Sequence, residues 1–438
     1  MRLVEENNMA DFKNKVVYQI YPKSFKDSNG DGIGDLRGVM DALDYLADMG
    51  VDYLWLTPFF VSPQKDNGYD IADYLAIDPH FGTMDDFDAL VKAADAKGLK
   101  IMLDMVLCHT SDQHAWFQRA LAGDADYQRY YILRDGRNKK SADDPGEPPT
   151  NWQCAFGGSA WQWEPRLGKW YLHLHDVSQP DLDWTNPTVR DELAKVVRFW
   201  KERGVAGFRF DVINLVAKPE VFADDTRGLG RRLFADGPHI HEYLQELVHS
   251  ADIGDMVTIG EMASTDHYRD VESLNYYRIL REQGKTVAEA LTILAARSRD
   301  NGRTPMQWSA GPYTGFSTKE PWIPLAKNHA AIHVEAAQRD EDSILAFYRR
   351  LIRLRHEMPI IAEGDIRCIE EDNPDVIAYE RTWQGEQLTV LCNFRPTAVP
   401  LRHLSLQDFA DARKLLGNYP GREECLRPYE VLALYRRA

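Results

Sequence analysis

Gly207-Phe208-Arg209-Phe210-Asp211-Val212-Ile213 reads as a short buried strand that delivers an arginine and a carboxylate to one place. Side chains alternate faces along a strand, so Arg209 and Asp211 share one face and Phe208 and Phe210 the other. Aromatic side chains on one side suit a sheet covered by helices. A charged pair on the other side is costly to bury unless it satisfies itself or serves a function. Both readings, structural ion pair and functional pair, stay open on this stretch alone.

The flanking sequence repeats one pattern. Upstream, Thr188–Arg203 reads as a helix that stops at Gly204 and feeds the strand; downstream, the helical stretch Ile240–Val248 precedes a strand over Met256–Glu261. Nearer the start, strand Val16–Pro22 precedes helix Leu36–Met49, which stops at Gly50 before strand Tyr53–Pro58. Helix Met84–Lys97 then stops at Gly98 before strand Lys100–Val106. Strands alternating with glycine-stopped helices mark a parallel sheet of βαβ units. Five such strands ending in polar residues fit an α/β fold of the (β/α)8 TIM-barrel type, with chemistry at the C-terminal strand ends.

The interval 109–186 is too long for a crossover and is rich in Trp, Gly and Pro, including Trp152, Trp161, Trp163 and Trp170. It reads as an inserted subdomain. After a helix over Ala346–Met358, alternating runs such as Val376–Tyr379 and Leu388–Asn393 suggest a closing all-β domain. The expected division is 12–108 and 187–360 for the barrel, 109–186 for the insertion and 361–438 for the β domain.

Composition narrows the function classes. The chain has 438 residues, 44% hydrophobic and 27% charged, as in an ordinary globular enzyme. A net charge of −16 argues against a nucleic-acid partner, which needs basic surface. No apolar run approaches membrane-spanning length, and Met1–Phe12 lacks the apolar core of a secretory signal. Five scattered cysteines without a C-x-x-C pair suit a reducing compartment. A cytoplasmic, monomeric protein with no membrane partner is expected.

Two strands end in a carboxylate, Asp211 and Glu261. Neighbouring strands lie about 4.8 Å apart. On consecutive strands these groups fall near the ~5–5.5 Å separation of retaining glycosidases. Arg209 would hold Asp211 ionised, as a nucleophile requires, and His109 could donate to a sugar hydroxyl. Separately, Asp27, Asn29, Asp31 and Asp35, with the Ile33 carbonyl, resemble the first half of a calcium loop. Gly38 replaces the bidentate Glu, so the loop is not an EF-hand, and a Gly/Asp-rich turn is the alternative.

VVYQIYPKSFKDSNGDGIGDL, DNGYDI (66–71), DMVLCHTS (104–111), GFRFDVIN (207–214), IGEM (259–262) and SRDNGRTPMQW (298–308) together resemble the α-amylase superfamily of glycoside hydrolases. The resemblance is strongest to its trehalose-6-phosphate hydrolase and oligo-1,6-glucosidase branch. It implies that Asp211 is the nucleophile and Glu261 the general acid/base. It further implies a glucose pocket lined by Asp66, Tyr69, His109, Arg209 and Arg303, and calcium, with no organic cofactor, at Asp27–Asp35. Val212 after the nucleophile resembles enzymes acting on α-1,6 bonds or on trehalose 6-phosphate. DVINLVAK, DGPHIHEYLQEL, GEMAST and YRDVESLNYY resemble the trehalose-6-phosphate hydrolases. The implied substrate is therefore a small α-glucoside, trehalose 6-phosphate, cleaved to glucose and glucose 6-phosphate. Oligo-1,6-glucosidase and a non-catalytic glycosidase-like protein are the alternatives. Lys218, Arg231 and Arg232 are candidates for holding the phosphate.

The chain departs from that pattern in two places. Three barrel strands and an Asn-His-Asp motif normally separate GEM from YRDVESLN. Here Thr265 runs straight into Asp266, no Asn-His-Asp occurs, and about a hundred residues of a ~250-residue barrel are missing. The third family carboxylate goes with them, and Asp266 and His267 are poorly placed substitutes. An open five-stranded sheet has unpaired edges, so low stability and little turnover are expected. The second departure is Cys108, where relatives carry Asn; it reads as inert packing.

Overall fold

A computed structural model describes residues 12–141, 144–262, 302–421 and 423–437, with residues 280, 283–287, 289 and 293. Asp266, His267, the 265/266 junction and all of YRDVESLNYY lie outside the described residues. The chain forms two compact units, one of Val17–Ala47 with Tyr53–Glu335, the other of Asp48–Asp52 and Ala336–Ala438 with the described part of Met1–Val16.

Five parallel strands carry the first unit: β1 (Val17–Ile20), β2 (Tyr53–Leu56), β3 (Lys100–Met105), β4 (Gly207–Phe210) and β5 (Val257–Gly260). They pair in chain order, β1-β2-β3-β4-β5, the arrangement a barrel wall requires. Every residue of β4 is buried, whereas β1 and β5, at the two ends of this order, are half-exposed. Register sets Arg209 opposite Asp104 on β3 and Ile259 on β5.

The helices follow the sequence signals with one exception. The expected helix 36–49 is broken at Ala42, whose backbone leaves helical geometry between α1 (Leu36–Asp41) and α2 (Leu43–Met49). Its N–H turns to the Val39 and Met40 carbonyls, which tightens and ends the first segment. α3 (Met84–Asp95) opens with a capping box between Thr83 and Asp86. α4 (Pro187–Glu202) opens on Asn186 with proline in its first turn. It closes at Gly204, whose φ of +88° is the left-handed stop that glycine allows. A Cβ there would also meet Val91 at 2.9 Å. α5 (Ile240–Ser250) leads into β5.

Between β3 and β4, strands Leu133–Arg134, Lys169–Leu172 and Trp161–Glu164 form a small antiparallel sheet over the buried Trp152 and Trp161. The second unit holds α6 (Ile344–Glu357) and an antiparallel sheet of β6 (Asp365–Ile369), β7 (Val376–Trp383), β8 (Glu386–Asn393), β9 (Arg413–Gly417) and β10 (Val431–Arg437). Its order is β6-β7-β8-β10-β9, and Val376, Leu391, Phe409, Leu426, Leu432 and Leu434 fill its core.

Candidate active site

β4 hands its last turn of strand to one guanidinium and three carboxylates. Arg209 donates to Asp104 at 2.6 Å and to Asp211 at 2.7 Å, and its second nitrogen bonds Glu261. Arg209 and Asp211 thus share a face as alternation requires, and Phe208 and Phe210 stack on the other with centroids 6.2 Å apart. The indole of Trp55 lies 5.0 Å under the guanidinium and donates to Asp104 at 3.1 Å. Asp104, Arg209 and Asp211 are buried, whereas the Glu261 side chain is 45% exposed.

One cation among three carboxylates leaves the cluster short of positive charge. Burial, and next the charge of Asp211, push Glu261 above the ordinary carboxylate range despite Arg209. A hydrogen bond between the Glu261 and Asp211 carboxyls acts in the same direction. Complete burial pushes Asp104 up to about 7, against the pull of Arg209. Val212, next after Asp211, sits at φ +34°, a strained setting for a β-branched residue. That turn swings the chain out of the strand and leaves Asp211 at its end.

The loop 66–70 is tied to this cluster. Tyr69 donates to Asp104 at 3.1 Å, and its carbonyl lies 2.9 Å from His109 Nε2. Gln179 Nε2, 3.0 Å from both His109 Nε2 and Asp66 Oδ2, donates to the Asp66 carboxylate. Gly68 makes this turn possible: its φ is +102°, and a Cβ would strike the Pro58 carbonyl at 2.8 Å. Asp66, Tyr69, His109 and Arg209 are therefore joined to Asp211 and Glu261 through shared partners. Arg303 sits by another route. Its carbonyl accepts from Ser24 at 2.6 Å, and its charge, after burial, lowers the neighbouring Lys23. Lys23 in turn reaches Gln64 and Asn67, each at 3.4 Å, on the loop that carries Asp66.

Two sequence expectations need correction. Lys218 is buried and ion-paired with Asp181 at 2.8 Å, so it is not free to hold a phosphate. Arg232 is tied to Asp225 at 2.7 Å, and Arg231 precedes it in a short helix. Cys108 is not merely packed: its sulfur lies 2.9 Å from His109 Nδ1. In the loop 27–35 the carboxylates face the loop's own donors. Asp27 accepts from Asn29 at 3.0 Å, Gly30 at 2.6 Å, Gly32 at 2.9 Å and Ser317 at 2.6 Å. Asp31 accepts from Ile33 at 2.8 Å and Asp35 caps α1 through Gly38 at 2.7 Å. The donor set is all oxygen, as calcium requires, and these hydrogen bonds hold the loop in a closed turn.

Adjacent parallel strands thus present paired carboxylates on one arginine at the C-terminal edge of a barrel-type sheet, and the chain belongs to the alpha-amylase family of glycoside hydrolases. Residues 19–273 and 267–364 match its catalytic domain. Among curated relatives, the trehalose-6-phosphate hydrolase of Escherichia coli is 39% identical, covering 87% of this chain and 90% of its own. That of Bacillus subtilis is 36% identical over 555 aligned positions, covering 97% and 98%. The oligo-1,6-glucosidase of Bacillus cereus is 33% identical, covering 96% and 98%. Among solved structures, a trehalose-6-phosphate hydrolase of Bacillus licheniformis superposes with a TM-score of 0.89 at 34% identity, covering 97% of this chain and 99% of that one.

Proposed function

We propose that the chain is a retaining α-glucoside hydrolase acting on trehalose 6-phosphate, with Asp211 as nucleophile and Glu261 as general acid/base. The observation that carries this is the single guanidinium of Arg209 bridging both carboxylates at the ends of adjacent strands. Asp211 is buried and anchored, ready to attack the anomeric carbon from one side. Glu261, more exposed and raised in pKa, suits the proton donor to the leaving oxygen. After glucosylation the same carboxylate would take a proton from water. Asp66, Tyr69 and Arg303 would position the glucose ring, with the buried His109 holding this loop in place through the Tyr69 carbonyl and Gln179. Relatives at 36–39% identity supply the choice of substrate.

We further propose that the barrel is internally shortened near residues 265/266 by about three strands. The family match in two pieces overlapping at 267–273 supports this. So does an alignment of 555 positions taking in 97% of a 438-residue chain, which leaves about 130 of them facing a gap. Without the third carboxylate, turnover should fall by about 100–1000-fold relative to a complete site. The assay is release of glucose 6-phosphate from trehalose 6-phosphate by the purified chain, beside isomaltose and maltose. The expected result is slow cleavage of trehalose 6-phosphate in preference to the other two, abolished in Asp211→Asn. Preference for isomaltose, or residual cleavage untouched by Asp211→Asn, would overturn the assignment.

The all-oxygen series Asp27, Asn29, Asp31, Ile33 carbonyl and Asp35 would hold calcium, as a structural ion. A cytoplasmic setting is supported by the five cysteines, all free thiols. Among the described residues no helix is long and apolar enough to cross a membrane.

A further inference from the structure

We propose that Cys108, His109 and His175 form a binding site for a borderline transition-metal ion of the zinc or cobalt(II) class. Their ligand atoms all lie within 4.8 Å of one another, and all three side chains are buried. Among the described residues this is where three such side chains converge. The elements that bring them together are distinct: Cys108 and His109 follow β3, while His175 follows the last strand of the inserted sheet. The isolated bridge between His109 and Asp181 locks those two segments in register.

The chemistry of the set is specific. One thiol and two imidazoles suit zinc or cobalt(II) and not calcium or magnesium, which prefer oxygen. The Tyr69 carbonyl lies 2.9 Å from His109 Nε2; in the tautomer that carries its proton there, the Nδ1 lone pair faces Cys108. A backbone carbonyl on the far nitrogen is what orients metal-ligating histidines. Sγ and Nδ1 are 2.9 Å apart, as a thiol-to-imidazole hydrogen bond. A tetrahedral ion would part them to about 3.5 Å, a small side-chain rotation, by replacing the shared proton. That proton goes to solvent, the thiolate and the two neutral imidazoles bind the ion, and the fourth corner is left to water.

The inference is independent of substrate choice, and its test uses the full chain with cobalt(II) alone. One equivalent should give a thiolate-to-cobalt charge-transfer band in the near ultraviolet, release about one proton, and be displaced by zinc. Cys108→Ser should lose the band, and His175→Phe should weaken binding at least about 100-fold, with circular dichroism reporting whether each variant is folded. X-ray absorption of the cobalt-loaded wild-type chain needs no variant and should show one sulfur with nitrogen ligands. A first shell without sulfur overturns the proposal. So does a charge-transfer band that survives in Cys108→Ser, which would place the ion on another of the thiols.

Discussion

Arg209 is the residue on which the site's electrostatics turn, because its one positive charge serves three carboxylates, Asp104, Asp211 and Glu261. The sequence made two of these partners visible: Asp211 by alternation along residues 207–213, and Glu261 by its place at the end of the next strand. Asp104 was legible only in part. A lone carboxylate in the apolar run Ile101–Val106 was a signal, but its role depended on the register that sets it opposite Arg209. Gln179 carried no local signal at all, since the long insertion delivers it to Asp66. Asp104 has a consequence for stability. Its folded-state value of about 7 lies above the unfolded carboxylate value, so the folded chain holds that proton more tightly. Its stabilising contribution is complete below about pH 4 and is lost as pH rises through about 7. Wild-type unfolding free energy should therefore fall across that window by on the order of a few kcal/mol, and Asp104→Asn should flatten the slope. Urea melts of both chains from pH 4 to pH 8 measure it; parallel slopes would show that Asp104 does not titrate there.

Among the elements, the loop 27–35 was the one whose sequence allowed two readings, and its geometry explains why. Alternate Asp and Asn side chains that could face a cation can equally accept the N–H groups two and three residues on. Asp27 does this: burial pushes its carboxyl up, yet the hydrogen bonds from Ser317, Gly32, Gly30 and Asn29 bring it below the ordinary value. The turn is therefore already formed by its own N–H groups together with Ser317, and calcium would add to an existing shape. Removal of calcium by a chelator should lower the melting temperature, and calcium at about 100 times its dissociation constant should return about 2.7 kcal/mol. Magnesium should do less, because its near-octahedral demand fits a carbonyl-bearing loop poorly. Thermal melts with chelator, calcium and magnesium decide this, and a melting temperature indifferent to all three would leave the loop as a self-closed turn. Helix ends were easier to read, since Gly204 announces its left-handed stop by residue type. The break at Ala42 was not, because alanine continues a helix in every propensity scale and local hydrogen bonding alone ends it.

For the molecule as a whole, the decisive quantity is how stability is distributed across the parallel sheet. β4 is buried throughout and β3 is buried after Lys100, whereas β5 alternates half-exposed and exposed positions. β1 and β5 stand at the ends of the strand order, and among the described residues no further strand pairs with their outer sides. The βαβ units were countable in the sequence, and the five strands pair in that order. Glu261 follows directly on β5, while Asp211 follows on β4. The two halves of the proposed catalytic pair thus rest on elements of unequal stability. Opening of β5 would carry off the acid/base and leave the nucleophile in place. Amide hydrogen exchange measures this directly. Val257–Gly260 should exchange at least about 100-fold faster than Leu103–Met105 and Phe208–Phe210, at a rate set by local opening rather than global unfolding. Protection of β5 equal to that of β4 would mean that its edge is covered and that the acid/base is held as firmly as the nucleophile.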